Sequence, residues 1–211
     1  LNAAILAMQA VNLQRESFRD EDSVRVHGCI LNGGTAVNIV ADTVSLEYSV
    51  RARTMSAVTD ASKKIDRSMK AGAVATGCSV EIKTIPGYMP LIPAKDTSVI
   101  VESMKQVSGG KYPLAYEDSN VHLTASSDYG DISQIMPVLQ FYTGGYSGPL
   151  HSINGNVTDE YLAYVVTAKM FALSAYKLLK NNAQAAHKIS DSFSPAFTKS
   201  SYIDYLSSLR K

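Results

Sequence analysis

The sequence predicts an α/β chain in two parts: a ferredoxin-like α+β domain lacking its first strand, then part of an α/β domain. Three observations carry that reading. Residues 1 to 86 alternate helical and strand periodicity in the order α-β-β-α-β. One strand placed in front would complete the β-α-β-β-α-β split unit. The stretch "PGYMPLIPAKD" holds three prolines, which break helix and strand alike and mark a boundary near residues 86 to 95. Beyond it, residues 87 to 211 alternate helix and strand but show only one clear strand.

The elements follow in order. Ile5, Leu6, Met8, Val11 and Leu13 have the spacing of a helix over residues 2 to 16 with one buried face. "RVHGCIL" and "VSLEYSVRAR" read as strands. In the second, Leu46, Tyr48 and Val50 alternate with Glu47, Ser49 and Arg51. Asn32, Gly33 and Gly34 supply the positive φ angles of a turn between them. Val58, Ala61, Ile65, Met69 and Ala73 line a second helix, and Gly77 stands where a C-terminal glycine belongs. "CSVEIKTIP" reads as a third strand. Then come a helix in "DTSVIVESMKQVSGG", a strand in "VLQFYTGG", a long helix over 159 to 180 and a weaker amphipathic helix at the end. In the long helix Leu162, Val165, Val166, Leu173, Tyr176 and Leu179 form the expected buried side.

Composition narrows the function classes. Apolar residues make up 45% and charged residues 18%, so a sizeable core is available. The net charge of +1 lacks the basic field that non-specific nucleic-acid binding needs. No unbroken run of eighteen apolar residues occurs, so no membrane partner is expected. The first residues lack a basic region and a cleavage site, so they do not read as a signal peptide. The missing initiator Met suggests a start inside a longer product. Two cysteines, Cys29 and Cys78, make no disulfide framework, which fits a reducing, cytoplasmic setting.

Several polar residues are candidates for chemistry. His27 sits on a strand, where a lone histidine is either half-buried structure or a group raised towards a ligand. In "GGTAVNIVAD" no helix follows the glycines, so Asn38 is placed by a turn and not by a phosphate loop. Asp128, Asp131 and Ser133 in "SSDYGDIS" offer a cation site without EF-hand spacing, or turn and capping roles. His151, in "SGPLHSINGN", follows a strand end, where α/β folds place ligand loops. His122 is near in sequence, but nothing at metal-site spacing completes three ligands. No G-x-S-x-G elbow supports a serine triad.

In order, "RVHG", "NGGTAVNIVAD", "YSVRA", "ATGCSVEI", "SSDYGDISQIMPVLQF" and "GPLHS" resemble the zinc-dependent aminoacylase/carboxypeptidase amidohydrolase superfamily, and its p-aminobenzoyl-glutamate hydrolase-like branch above all. The resemblance runs from about Leu1 to about Leu179. It implies a ferredoxin-like lid and dimerisation domain over 1 to 86, and the C-terminal portion of a catalytic domain over 87 to 211. It also implies two divalent metal ions, usually zinc, in the intact enzyme, with His151 as a metal ligand. His27, Asn38 and Arg51 would bind substrate, the first two from the lid of a homodimer. The substrate class is an N-acyl or aminobenzoyl amino acid or a dipeptide.

The sequence departs from the family's pattern in two ways. It carries neither the H-x-D motif nor the Glu-Glu pair that would supply the other ligands and the general base. Ala41 stands where the family usually has proline. The chain alone is therefore expected to be inactive and to hold no metal tightly. The alternative is a non-catalytic dimerisation or small-ligand-binding module, with a metabolite-binding regulatory domain as a weaker rival.

Overall fold

A computed structural model describes residues 1–115, 126–149 and 151–209. Helices and two small sheets alternate in them, and they fall into two compact units. The first takes residues 1–91, 126–131 and 203–209, and the second takes 92–115, 132–149 and 151–202.

In the first unit, helix α1 (Asn2–Leu13) packs on α2 (Met55–Ala75), and strands β1 (Arg25–Asn32) and β2 (Ser45–Arg51) pair antiparallel. Helix α2 is well bounded. Thr54 Oγ1 accepts a hydrogen bond from the Ala57 N–H at its start. At its end the Gly77 N–H donates to the Val74 carbonyl and the Cys78 N–H to the Ala73 carbonyl, with Gly77 left-handed at φ +70°. That is a Schellman stop, at the glycine the sequence marks. The buried face of α2 is made of small residues: Ala57, Ala61, Ser68, Gly72 and Ala73, with Ile65 the large exception. Such a face lets α1 come close, and only small residues of α1 fit against it. Hence α1 buries Ala4, Ala7 and Val11, while Ile5, Leu6 and Leu13, expected inside, are exposed. The core closes on Val11, Val26 and Ile65, with Phe18, Val24, Tyr48, Val50 and Met69 around them.

The hairpin alternates as the sequence predicts: Leu46, Tyr48 and Val50 are half-buried and the residues between them exposed. Gly28 lies opposite Tyr48 in register, and the Tyr48 ring crosses over it. A Cβ there would stand 2.3 Å from the ring, so the glycine makes room for the aromatic. The expected third strand does not form. Residues 79–85 have no strand partner, and their backbone makes no hydrogen bond among the described residues. A strand needs a neighbour to pair with, and the hairpin pairs only β1 with β2.

In the second unit, α3 (Ser98–Ser108) packs on the long helical stretch formed by a π-helix (Tyr161–Val166) and α5 (Thr167–Asp191); the short helix α4 (Tyr129–Ser133) comes between them in the chain. The buried stripe of that stretch is Ala163, Val166, Met170 and Ser174, at helical spacing. Val165, Tyr176 and Leu179, expected inside, face out. By length and composition alone Tyr161–Asp191 is apolar enough to cross a membrane, although the sequence has no unbroken apolar run. Its regular helix, however, stops at Lys180. Asn181, Asn182 and Ala183 are all left-handed, with φ near +55°, a conformation costing roughly 1–2 kcal/mol per non-glycine residue. Two ion pairs to the α3 end of the unit bracket this turn: Lys177 to Glu102 at 3.6 Å and Lys188 to Asp96 at 2.8 Å.

Residues 138–145, expected as a strand, lie against α5 and pair with no strand among the described residues. Thr143 shares a 2.6 Å hydrogen bond with Thr167, and the Phe141 and Phe171 rings meet edge-on at 4.9 Å. The expected terminal helix is α6 (Lys199–Leu209). Thr198 and Ser201 cap it reciprocally, each hydroxyl accepting the other's N–H.

Asp96 gives this unit a pH dependence. Its carboxylate accepts from Lys188 and from the Ser98 hydroxyl and N–H. The Lys188 bond first, then those from Ser98, hold its pKa well below the usual carboxylate range. A depressed pKa gives stability that is present above the unfolded value, about 3.9, and lost as pH falls through the folded one. Asp96→Asn keeps an acceptor for Ser98 but removes the charge that pairs with Lys188, and is expected to lower stability at pH 7 by about 0.5 kcal/mol, within the range of a solvent-exposed ion pair. In urea titrations the gap to the parent chain should narrow steadily below pH 4. A gap that stays constant with pH would show that the charge plays no part.

Candidate functional site

The outer face of the β1–β2 hairpin carries the first group of expected site residues. Register pairs Arg25 with Arg51, His27 with Ser49 and Cys29 with Glu47. Because side chains alternate along a strand, these six share one face, opposite the one that meets the core, and all six are exposed. His27 and Arg51 are therefore diagonal neighbours on that face. Asn38 lies in the connection between β1 and β2 and is also exposed. The hairpin thus presents an imidazole, two guanidiniums and a carboxylate outward from a rigid ladder, a set suited to holding a carbonyl or carboxylate group.

His151 belongs to the second unit. Two short strands, β3 (Tyr146–Ser147) and β4 (Asn156–Val157), pair antiparallel, and residues 148, 149 and 151–155 lie in the loop between them. Its base is drawn in tightly. The Gly145 carbonyl accepts the N–H groups of Thr158 and Asp159, at 2.8 and 3.2 Å. Gly145 and Gly148 have positive φ, and a Cβ on either would run into backbone atoms within 2.7 Å. Across the tip the Gly155 N–H reaches the Ser152 carbonyl, and the Asn154 N–H the Ser152 hydroxyl. His151 itself is left-handed at φ +59° and exposed, a conformation in which histidine is several-fold enriched. The loop aims the imidazole outward without enclosing it.

Among the described residues no group of three His, Cys, Asp or Glu side chains could hold a metal ion. His122 lies outside the described residues. A zinc site needs at least three protein ligands, so the residues present do not by themselves fit the metal pair that the family resemblance implies.

The "SSDYGDIS" acids are engaged in structure. Asp131 Oδ1 accepts the Met89 N–H, and the fully buried Ser133 hydroxyl accepts the Ile92 N–H. Asp128 accepts from the Ser127 hydroxyl. The Asp131 and Ser133 oxygens fasten the proline-rich strap over residues 89–92, the turn-and-cap alternative to a cation site. Strand and helix periodicity do not reveal such contacts, which join residues some forty positions apart. Periodicity also missed the glycine pair at 145 and 148. The only local hint was "TGGYSG" beside a histidine.

No protein-family model matches the chain. The Xaa-Arg dipeptidase of Mus musculus is 31% identical over 150 residues, 68% of this chain and 33% of that protein. The Homo sapiens Xaa-Arg dipeptidase is 30% identical over 146 residues, 67% of this chain and 32% of its own length. Over that stretch the chain belongs to the amidohydrolase/aminoacylase superfamily. An N-acetyldiaminopimelate deacetylase of Oceanobacillus iheyensis is 21% identical over 147 residues, 69% of the chain and 38% of that protein. This superfamily chain spans about a third of the length of the curated relatives it matches, and its named relatives are all hydrolases.

Proposed function

We propose that this chain contributes the lid and the C-terminal catalytic portion of an amidohydrolase that cleaves the amide bond of a dipeptide or an N-acyl amino acid. The observation that carries the reading is the match to two dipeptidases and a deacetylase over two-thirds of the chain but only a third of each relative. In this reading the first unit is the ferredoxin-like lid. His27 and Arg51, side by side on its open sheet face, and Asn38 beside them hold the substrate's carbonyl and carboxylate. The N–H of His27 donates to the carbonyl oxygen as negative charge develops there. His151 is one ligand to a divalent metal pair, usually zinc in this superfamily, whose other ligands and general base come from polypeptide outside these 211 residues. A homodimer through the lid and a cytoplasmic setting complete the proposal; the two free cysteines, both exposed, fit a reducing compartment.

The test compares the 211-residue chain with the complete gene product. The chain alone is expected to hydrolyse neither dipeptides nor N-acyl amino acids, and to retain no zinc after gel filtration. The complete product is expected to do both. His151→Ala in it removes a ligand outright, which should cost more than losing a ligand's hydrogen-bond partner, hence at least about a hundredfold in kcat/KM. His27→Ala should cost about a hundredfold or more, as for other oxyanion donors. A complete product that binds zinc yet cleaves neither substrate class would favour the non-catalytic alternative, a dimerisation or small-ligand module. Full activity in His151→Ala would remove that residue from the site.

A further inference from the structure

Three residues of the second unit, none of them part of the proposed amidohydrolase site, stand together around one tyrosine ring. Tyr161 opens the π-helix, a geometry found often at functional positions. Lys169 lies two turns further on, and its Nζ donates a 2.7 Å hydrogen bond to the Tyr161 hydroxyl. That ammonium is 5.1 Å from the ring centre. With so short a bond to the hydroxyl, it sits beyond the oxygen end of the ring and not over its face. Lys111, just past the glycines that end α3, brings a second ammonium 5.5 Å from the Tyr161 ring centre and 5.4 Å from that of Tyr112.

The donor count of this cluster is unbalanced. Lys169 supplies the proton in its bond to Tyr161, so the phenol's own O–H is left to donate outward. Neither lysine forms an ion pair among the described residues. The Asp159 carboxylate accepts the Leu162 N–H at 2.9 Å and forms no ion pair with either lysine. The charges acting on Tyr161 are those of Lys169 and Lys111, and the Lys169 hydrogen bond, followed by its charge, lowers the phenol's pKa. Two other lysines of this unit do have carboxylate partners: Lys177 has Glu102 and Lys188 has Asp96. Two ammoniums that pair with no carboxylate among the described residues, beside a hydroxyl donor, are the makings of an anion site.

We propose that Lys111, Tyr161 and Lys169 bind a small anion bearing a carboxylate or phosphate group. The two ammoniums flank it and the Tyr161 O–H donates to one of its oxygens. The site is open to water, so its affinity is expected in the millimolar range and to fall as salt is added.

The experiment is an NMR titration of the 211-residue chain at low salt, run in parallel with inorganic phosphate and with acetate. Saturable shifts confined to residues around Tyr161 and Lys169 are the expected result, and the tighter of the two ions names the source. Equal affinities assign a site for the chemistry the two ions share. Tyr161→Phe keeps the ring and removes only the hydroxyl donor. It should weaken binding about tenfold, the worth of one hydrogen bond to a charged group. The Lys111→Gln, Lys169→Gln pair should abolish saturation while leaving the melting temperature close to the parent's. A network that merely fastens the 109–112 turn to the helix would give a lower melting temperature and no saturable shifts. That outcome, or saturation that persists in the double variant, would overturn the proposal.

Discussion

Gly72→Val is expected to unfold the first unit, or to cost it roughly 3 kcal/mol or more, as severe overpacking of a closed contact does. Gly72 lies on the buried face of α2, against Ala3 and Ala7 of α1. A Cβ built on it would stand 2.6 Å from the Ala3 carbonyl oxygen and 2.8 Å from the Ala7 nitrogen and Cβ. Two of those three atoms are backbone of a helix, so neither can give way alone. The milder Gly72→Ala decides between two effects. Helix propensity favours alanine over glycine by about 1 kcal/mol. The contact opposes it by about 1–3 kcal/mol, and should win. Urea unfolding followed by circular dichroism checks both variants. A Gly72→Ala chain more stable than its parent would mean that α1 does not pack this closely.

Gly145→Ala is the second large effect, and it bears on the candidate site. Gly145 has φ +97°, outside the range alanine adopts without strain. The added Cβ would lie 2.6 Å from the Asp159 carbonyl oxygen and 2.7 Å from the Ala163 nitrogen. Backbone strain of about 1–3 kcal/mol adds to an overpacking cost of similar size. The loss is therefore expected to be roughly 3 kcal/mol, read from thermal unfolding of the chain. The same substitution should displace the loop that carries His151, because Gly145 holds the start of the π-helix through Thr158 and Asp159. The resonances of residues 151–155 should shift, whereas those of the β1–β2 hairpin should stay in place. A Gly145→Ala chain with parental stability and an unmoved His151 resonance would contradict this geometry.

The legible parts of the sequence were those fixed by neighbours along the chain. The hairpin showed itself through the alternation of Leu46, Tyr48 and Val50, and α2 through Thr54 and Gly77 at its ends, because those signals act within a few residues. The motifs pointing to the amidohydrolase superfamily were legible for a different reason: each is a short string that keeps its order. What the sequence misplaced depends on distant partners. Residues 79–85 and 138–145 have strand-like composition, but a strand exists only when another lies beside it, and no alternation pattern says whether one does. The buried faces of α1 and α5 were misassigned for a related reason. Apolar size suggested Ile5, Leu6, Tyr176 and Leu179, whereas close approach selected the smaller Ala4, Ala7, Ala163 and Ser174. The ties from Asp131 and Ser133 to residues 89–92 were invisible, because they join polar oxygens to backbone amides far away in sequence.

The unpartnered stretch over residues 79–85 has a consequence for solvent exchange. Its amides make no hydrogen bond among the described residues, so their hydrogens should exchange with deuterated water almost as fast as those of a free peptide. The amides that ladder β1 to β2 should be retained far longer. The chain therefore carries its own indicator. Any strand that comes to lie against residues 79–85, from whatever polypeptide, would slow exchange there and leave the hairpin as it was.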